Sequence, residues 1–317
     1  MTTAAALPDL IHFPEPGTPA FVEAIDLARR GIFRFGLAED GSWVDWNLSE
    51  AAHGLVAGRC GSGKSVALSI VLFYAAYLPD LYEVNVCDAR GTDFRWAQGF
   101  PNVQMATSDA EIVAAIKETR RAIDERQSFR DRCAADPEAE REHGPTPKRL
   151  IFFFDNIVDF FAPTASEDDD KVKDRARADM EAIARLGRLL DVHVIAATQR
   201  LETKLFPAEL RSQLKFRLSV GAVDEFTSQL VLGSDHGTRF PDDVSSKGRA
   251  WVYDPVDGHR LVQLMFLDPE STPSPWQPDS SPRWAHQHLC DHLAALGYGV
   301  AEAVDGEART VQQWSRP

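Results

Sequence analysis

Gly58-Arg59-Cys60-Gly61-Ser62-Gly63-Lys64-Ser65 satisfies G-x-x-x-x-G-K-[ST] at every fixed position, and the reading of this stretch decides the fold. Residues 53–57 (HGLVA) read as a short buried strand, and residues 66–78 are almost wholly apolar until Pro79 stops them. Strand, glycine-rich loop and helix arrive in the order that a phosphate-binding loop requires. Glycines let backbone N–H groups close around phosphate oxygens, and the new helix presents unpaired donors and the positive end of its dipole. Gly58, Arg59, Cys60, Gly61, Ser62 and Gly63 are the expected cradle for the phosphates of a nucleotide. Lys64 is expected to reach the β/γ-phosphates, and Ser65 to place its hydroxyl on Mg²⁺.

Working outward, the 317 residues are 44% hydrophobic, enough to bury a substantial core in one large domain or one plus an appendage. A net charge of −14 argues against a surface that coats nucleic acid non-specifically, although basic groups confined to a pore escape that argument. The 4 cysteines are scattered without a C-x-x-C pair, so neither a disulfide framework nor a zinc site is expected, which fits a reducing cytoplasm. The longest apolar run, 66–78, is too short to cross a bilayer, and the N-terminus lacks a basic stretch leading into an apolar signal core. No membrane segment is expected.

Taken in order, residues 1–16 are Pro-rich and expected to be loosely held, and residues 19–30 carry apolar side chains at helical spacing. Residues 32–37 and 43–46 alternate like a hairpin. Residues 82–88 alternate toward an acidic end, followed by the loop Ala89-Arg90-Gly91-Thr92-Asp93, and ligands gather at such strand ends in open α/β sheets. Residues 109–132 form a charged helix whose arginines read as a solvated face. Leu150-Ile151-Phe152-Phe153-Phe154-Asp155 is a continuous apolar run ending in a carboxylate. Such a strand belongs in the middle of a parallel sheet, where Asp155 can hold the water shell of Mg²⁺ opposite Ser65.

A helix over 172–190 precedes a buried strand over 192–197 and then Thr198-Gln199-Arg200. Gln199 can hydrogen-bond the γ-phosphate and couple its loss to residues 201–210. Strands over 216–220, 249–253 and 261–266 complete a largely parallel α/β sheet, the last two as a hairpin. Prolines and serines mark 268–282 as a linker, and residues 284–296 read as a small helix with Leu289, Leu293 and Leu296 on one face. His286, His288 and His292 read as a solvated face rather than a metal site.

Several of these landmarks resemble the FtsK/SpoIIIE family of DNA-pumping ATPases, within the wider HerA/FtsK group. Residues 47–65 (NLSEAAHGLVAGRCGSGKS) resemble that family's lead-in to its nucleotide loop, Cys87-Asp88-Ala89-Arg90-Gly91 its D-x-[KR]-G strand end, and residues 186–200 its helix and ATQR strand. The likeness covers about residues 32–266. It implies a RecA-like P-loop NTPase fold, a central mostly parallel sheet flanked by helices, and assembly of identical subunits into a hexameric ring with ATP sites between neighbours. It also implies double-stranded DNA as the translocated partner, with protein as the alternative by likeness to type VII secretion relatives. The division that follows is an extension with a short helix (1–31), the ATPase domain (32–267), the linker (268–283) and a helical appendage (284–317).

The chain departs from the family where the usual acidic pair becomes Asp155-Asn156. An amide can orient the attacking water but cannot accept its proton, so a hydrolysis-impaired regulatory subunit is a second reading. Asp159 matches an acidic position of the family's run and can compensate in part, or simply cap structure. Arg126, Arg188 and Arg217 are candidates for an arginine that completes a neighbour's site, and Lys204 for a contact to the DNA backbone. Lys64→Ala is expected to abolish ATP binding while leaving the fold intact, on the view that its ammonium contributes little to the core.

Overall fold

The computed structural model describes residues 7–91, 93–136, 147–199, 201–202, 205–240, 248–267, 284–301 and 313–315. Its elements in chain order are β1 (Ile11–His12), α1 (Pro19–Arg29), β2 (Ile32–Ala38), β3 (Trp43–Asn47), β4 (Gly54–Gly58), α2 (Lys64–Tyr77), β5 (Tyr82–Cys87), β6 (Val103–Ala106), α3 (Asp109–Ala135), β7 (Arg149–Phe154), α4 (Ile157–Phe160), α5 (Glu167–Leu186), β8 (Val192–Thr198), α6 (Ala208–Gln213), β9 (Phe216–Val220), α7 (Glu225–Leu232), β10 (Arg249–Asp254), β11 (Gly258–Phe266), α8 (Trp284–Ala295), β12 (Gly299–Ala301) and β13 (Gln313–Ser315).

Every residue of β4 and β8 is buried, so both faces of these strands must be covered, and that places them at the centre of a parallel sheet. The order is β3-β2-β11-β10-β9-β4-β8-β7-β5-β6, with β1 added beside β11. Strands β9, β4, β8, β7, β5 and β6 run parallel. From β9 outward through β10, β11, β2 and β3 the pairing is antiparallel. One face is filled by a cluster that includes Phe33, Trp46, Leu72 and Phe73, and the other by one that includes Phe152, Phe154, Ile116 and Met180. The fold is thus α/β, a mostly parallel central sheet flanked by helices.

Local chemistry sets the helix starts. Thr18 caps α1 by accepting from the Phe21 N–H at 3.2 Å, with Pro19 at the first helical position. A reciprocal capping box joins Ser108 and Glu111 at the start of α3. Helix α5 opens with Glu167, Asp168, Asp169 and Asp170, whose charges complement the positive end of its dipole.

Three features depart from the sequence reading. Residues 7–16 are not loose: β1 pairs with β11, Phe13 is fully buried with its ring 5.3 Å from Phe73 and 5.2 Å from Tyr74, and the Arg249 guanidinium donates to the Leu7 carbonyl at 2.9 Å. Strand β6 and helix α7 lacked a periodic signal of their own; β6 is held by its pairing with β5 rather than by propensity. The histidine face of α8 is packed, not solvated. The rings of His292 and His288 stack on Tyr77 at centroid distances of 3.7 and 5.6 Å, and His286 lies 5.7 Å from Phe100. Leu289 and Leu293 are buried as expected, whereas Leu296 is exposed. The linker at 268–283 lies outside the described residues. Among the described residues no helix is long and apolar enough to cross a membrane.

This docking is pH-sensitive. Burial pulls His286, His288 and His292 below the ordinary histidine value, and at His292 the bond to the Tyr77 carbonyl opposes that pull while His288 and Arg29 add to it. A depressed histidine pKa means that the released helix binds more protons than the docked one, so docking strengthens as pH rises. The contribution is complete above the unfolded value near 6.5 and is lost as pH falls through the lower folded values. Amide exchange over Trp284–Ala295 is expected to accelerate more than the rest of the chain between neutral pH and pH 5, after correction for intrinsic rates. Uniform protection across that range would contradict it.

Candidate nucleotide site

Strand β4 delivers the chain to the carboxyl edge of the parallel strands, where the loop 58–63 turns back into α2. Arg59, Cys60 and Gly61 form its exposed tip. Gly63 has φ +106°, a backbone that a side chain would strain, and it starts α2 without a side-chain cap. The first-turn N–H groups of α2 are therefore available to a ligand. Ser62 Oγ is buried without a partner, and the Gly248 N–H donates to the Ser62 carbonyl at 3.2 Å, bracing the loop from the antiparallel side. An uncapped helix start, a glycine turn and an unsatisfied hydroxyl suit an anion with many acceptor oxygens, as a nucleotide's phosphates are.

Lys64 is not in solvent. Its ammonium is 5% exposed and forms an ion pair with Oδ1 of Asp155, which is itself 4% exposed at the end of β7. Oδ2 of the same carboxylate accepts from Asn156 Nδ2 at 2.6 Å, while Asn156 Oδ1 is buried without a partner. Burial pushes the Asp155 carboxyl above its usual range, the Lys64 ammonium opposes this, and the charges of Asp93 and Asp88 add to it. Asn156 holds φ 51°, a left-handed backbone that Asn tolerates better than most residues. Ser65 Oγ donates to Asp93 Oδ2 at 2.5 Å. Asp88, 1% exposed, accepts the N–H groups of Arg90, Gly91 and Asp93, folding the loop that carries Asp93.

Strand register explains how distant residues meet. Thr198 on β8 pairs with Ala57 on β4, and Ala196 pairs with Phe154 on β7. Gln199, one residue past β8, therefore emerges between the nucleotide loop and Asp155. Asp159 does not join this group: it is an exposed partner of Arg90, at 3.0 Å. Two arginines expected to reach a neighbour are spent inside the chain. Arg126 donates to the carbonyls of Leu190, Asp191 and Lys148 at 2.8, 3.0 and 2.8 Å, and Arg217 to those of Leu214, Val231 and Arg211 at 2.9, 3.1 and 3.3 Å. Burial pulls both guanidinium values below the ordinary one. Arg188 is exposed and donates to the Ser49 carbonyl at 3.3 Å. Lys204 and Arg200 lie outside the described residues. Sequence reasoning missed Asp93; the signal was an acid at the end of the loop that follows Asp88.

The pairing of Lys64 corrects the expectation that this side chain contributes little to the fold. Removing one partner of a buried ion pair strands the other charge, at a cost of about 3–5 kcal/mol. Lys64→Ala and Asp155→Ala are each expected to lose stability of that order in denaturant unfolding, and the double substitution to lose clearly less than their sum. Additive or negligible losses would remove the pair from the account.

Residues 28–154 match the model of the FtsK/SpoIIIE family. The DNA translocase FtsK of Halalkalibacterium halodurans is 22% identical over 223 residues, 65% of this chain and 27% of that protein. The ESX secretion system protein EccC of Geobacillus thermodenitrificans is 30% identical over 239 residues, 68% of this chain and 15% of that protein. The chain thus spans about a quarter or less of the length of these relatives. Among solved structures, the pCW3 conjugation coupling protein TcpA with ATPγS superposes with a TM-score of 0.71 at 19% identity, over 84% of this chain and 72% of that one. That likeness shows the RecA-like P-loop NTPase fold. With the nucleotide loop, the strand order and these alignments together, the chain matches the FtsK/SpoIIIE family of P-loop ATPases, a match carried by residues 28–154.

Proposed function

We propose that the chain is the ATPase core of a cytoplasmic motor that assembles as a hexameric ring and moves double-stranded DNA. The observation that supports it most is the buried Lys64–Asp155 pair, which joins the helix that follows β4 to the end of β7 across β8, the strand that Gln199 follows. When bound, ATP with Mg²⁺ supplies the phosphoanhydride whose hydrolysis drives the cycle. Lys64 would hold the β/γ-phosphates in place of Asp155, and Asp155 would then be available to the cation's water shell beside Ser65. Gln199 reads the γ-phosphate and passes its loss to residues 201–210, where Lys204 is the proposed contact to the DNA backbone. A few such contacts per subunit, repeated around a pore, reconcile DNA binding with a net charge of −14. Arg188 is the proposed arginine that completes a neighbour's site, since among the described residues it is exposed with a single 3.3 Å bond to the Ser49 carbonyl, whereas Arg126 and Arg217 each serve three carbonyls of their own chain. The ATPase unit is proposed to span residues 32–267, with 1–31 and 284–317 as additions to it.

DNA is the favoured substrate because the matching family model over residues 28–154 is that of FtsK/SpoIIIE, whose aligned relatives include proteins named as DNA translocases, while the secretion relative EccC, aligned over a similar share of the chain, supplies protein as the alternative. A second reading, a nucleotide-binding regulator with weak turnover, draws on Asn156, whose amide is bound to Asp155 and cannot take a proton from water. Measuring ATP turnover with and without duplex DNA tests the proposal. Stimulation by DNA is expected; turnover indifferent to DNA but raised by a protein substrate would favour secretion, and binding without turnover would favour the regulator.

The left-handed backbone at Asn156 also selects the informative variant. A glutamate there carries a penalty of roughly 1–2 kcal/mol, whereas aspartate, like asparagine, tolerates that conformation. Asn156→Asp is expected to raise DNA-stimulated turnover, by up to the ~10²–10⁴-fold typical of general-base assistance. Turnover equal to or below the parent's would show that position 156 does not limit hydrolysis.

A further inference from the structure

We propose that Asp93 is the residue that aims the Ser65 hydroxyl at the divalent cation, a positioning role that rests on the nucleotide-site reading above. A serine hydroxyl has one proton and two lone pairs, and it can present both lone pairs to a cation only if its proton points elsewhere. In this structure that proton goes to Asp93 Oδ2, at 2.5 Å. The acid at the end of β7 does not take it: Asp155 Oδ1 faces Lys64 and Oδ2 accepts from Asn156. Two carboxylates thus divide the work, one holding Lys64 and one holding Ser65.

The placement of Asp93 is built into the loop. Its own N–H donates to Asp88 Oδ2 at 3.2 Å, while Asp88 Oδ1 gathers the N–H groups of Arg90 and Gly91 at 3.1 and 3.0 Å. Gly91 has φ +62°, so the turn that brings Asp93 back over Ser65 favours glycine. Asp88 is 1% exposed and cannot itself turn outward. Among the described residues, no three Asp, Glu, His or Cys side chains are placed to hold a metal together. The Ser65 hydroxyl is the proposed direct ligand, so its direction matters. Groups behind a metal ligand fix its orientation, and their loss typically weakens metal binding about 10–100-fold.

The test is Mn²⁺ binding to the full chain in the presence of ADP, read by electron paramagnetic resonance, beside ADP binding in EDTA. Asp93→Ala is expected to weaken Mn²⁺ binding about 10–100-fold and to leave ADP binding in EDTA unchanged. Asp93→Asn, which keeps an acceptor oxygen and the loop's shape, is expected to fall between Asp93→Ala and the parent. In a Ser65→Ala background, Asp93→Ala is expected to cost little more. An equal loss in both backgrounds would mean that Asp93 acts on the cation by its charge alone, and unchanged Mn²⁺ affinity in Asp93→Ala would mean that it does not act at all; either overturns the inference. A parent chain that fails to bind ADP would instead overturn the nucleotide site, and the inference with it.

Discussion

The buried contact between Lys64 and Asp155 is the constraint on which the rest depends. An ammonium and a carboxylate each nearly removed from water are tolerated only as partners, so the end of β7 and the start of α2 must be held together. Strand β8 lies between β4 and β7, and its register with both fixes the spacing across which the pair forms. On the proposed nucleotide reading, phosphate oxygens would offer Lys64 a second partner and release Asp155. The same contact thus links the cohesion of the sheet's edge to ligand chemistry.

The surrounding groups show how that edge is shared. Asn156 donates to the far oxygen of Asp155, Asp93 accepts from the Ser65 hydroxyl, and Asp88 accepts from backbone N–H groups of the loop that carries Asp93. Asp159 meets the same loop from the surface, through the side chain of Arg90.

What could be read from the sequence follows burial. Strands β4, β7 and β8 are apolar on both faces because the sheet covers both, and this uninterrupted pattern is legible without any partner in view. The nucleotide loop was legible because its chemistry depends on a contiguous string of residues. Asp93 was not, since its role depends on a loop folded by Asp88 and on a serine far away in the chain. Strand β6 escaped because four residues with Gln104 exposed carry too little periodicity. Phe13 was hidden by the prolines around it, although its ring closes the cluster over α2. Arg126 and Arg217 looked available because a charged residue on a helix or strand usually faces water; only the carbonyls at their tips show otherwise.

Lys64 is proposed to exchange a carboxylate for a nucleotide's phosphates. Heteronuclear NMR of the Lys64 side-chain ammonium during titration with an ATP analogue and Mg²⁺ addresses it without altering any residue. The account predicts a saturable change at the Lys64 Nζ resonance, tracking nucleotide occupancy. A Lys64 resonance that stays where it was while the analogue binds would contradict it.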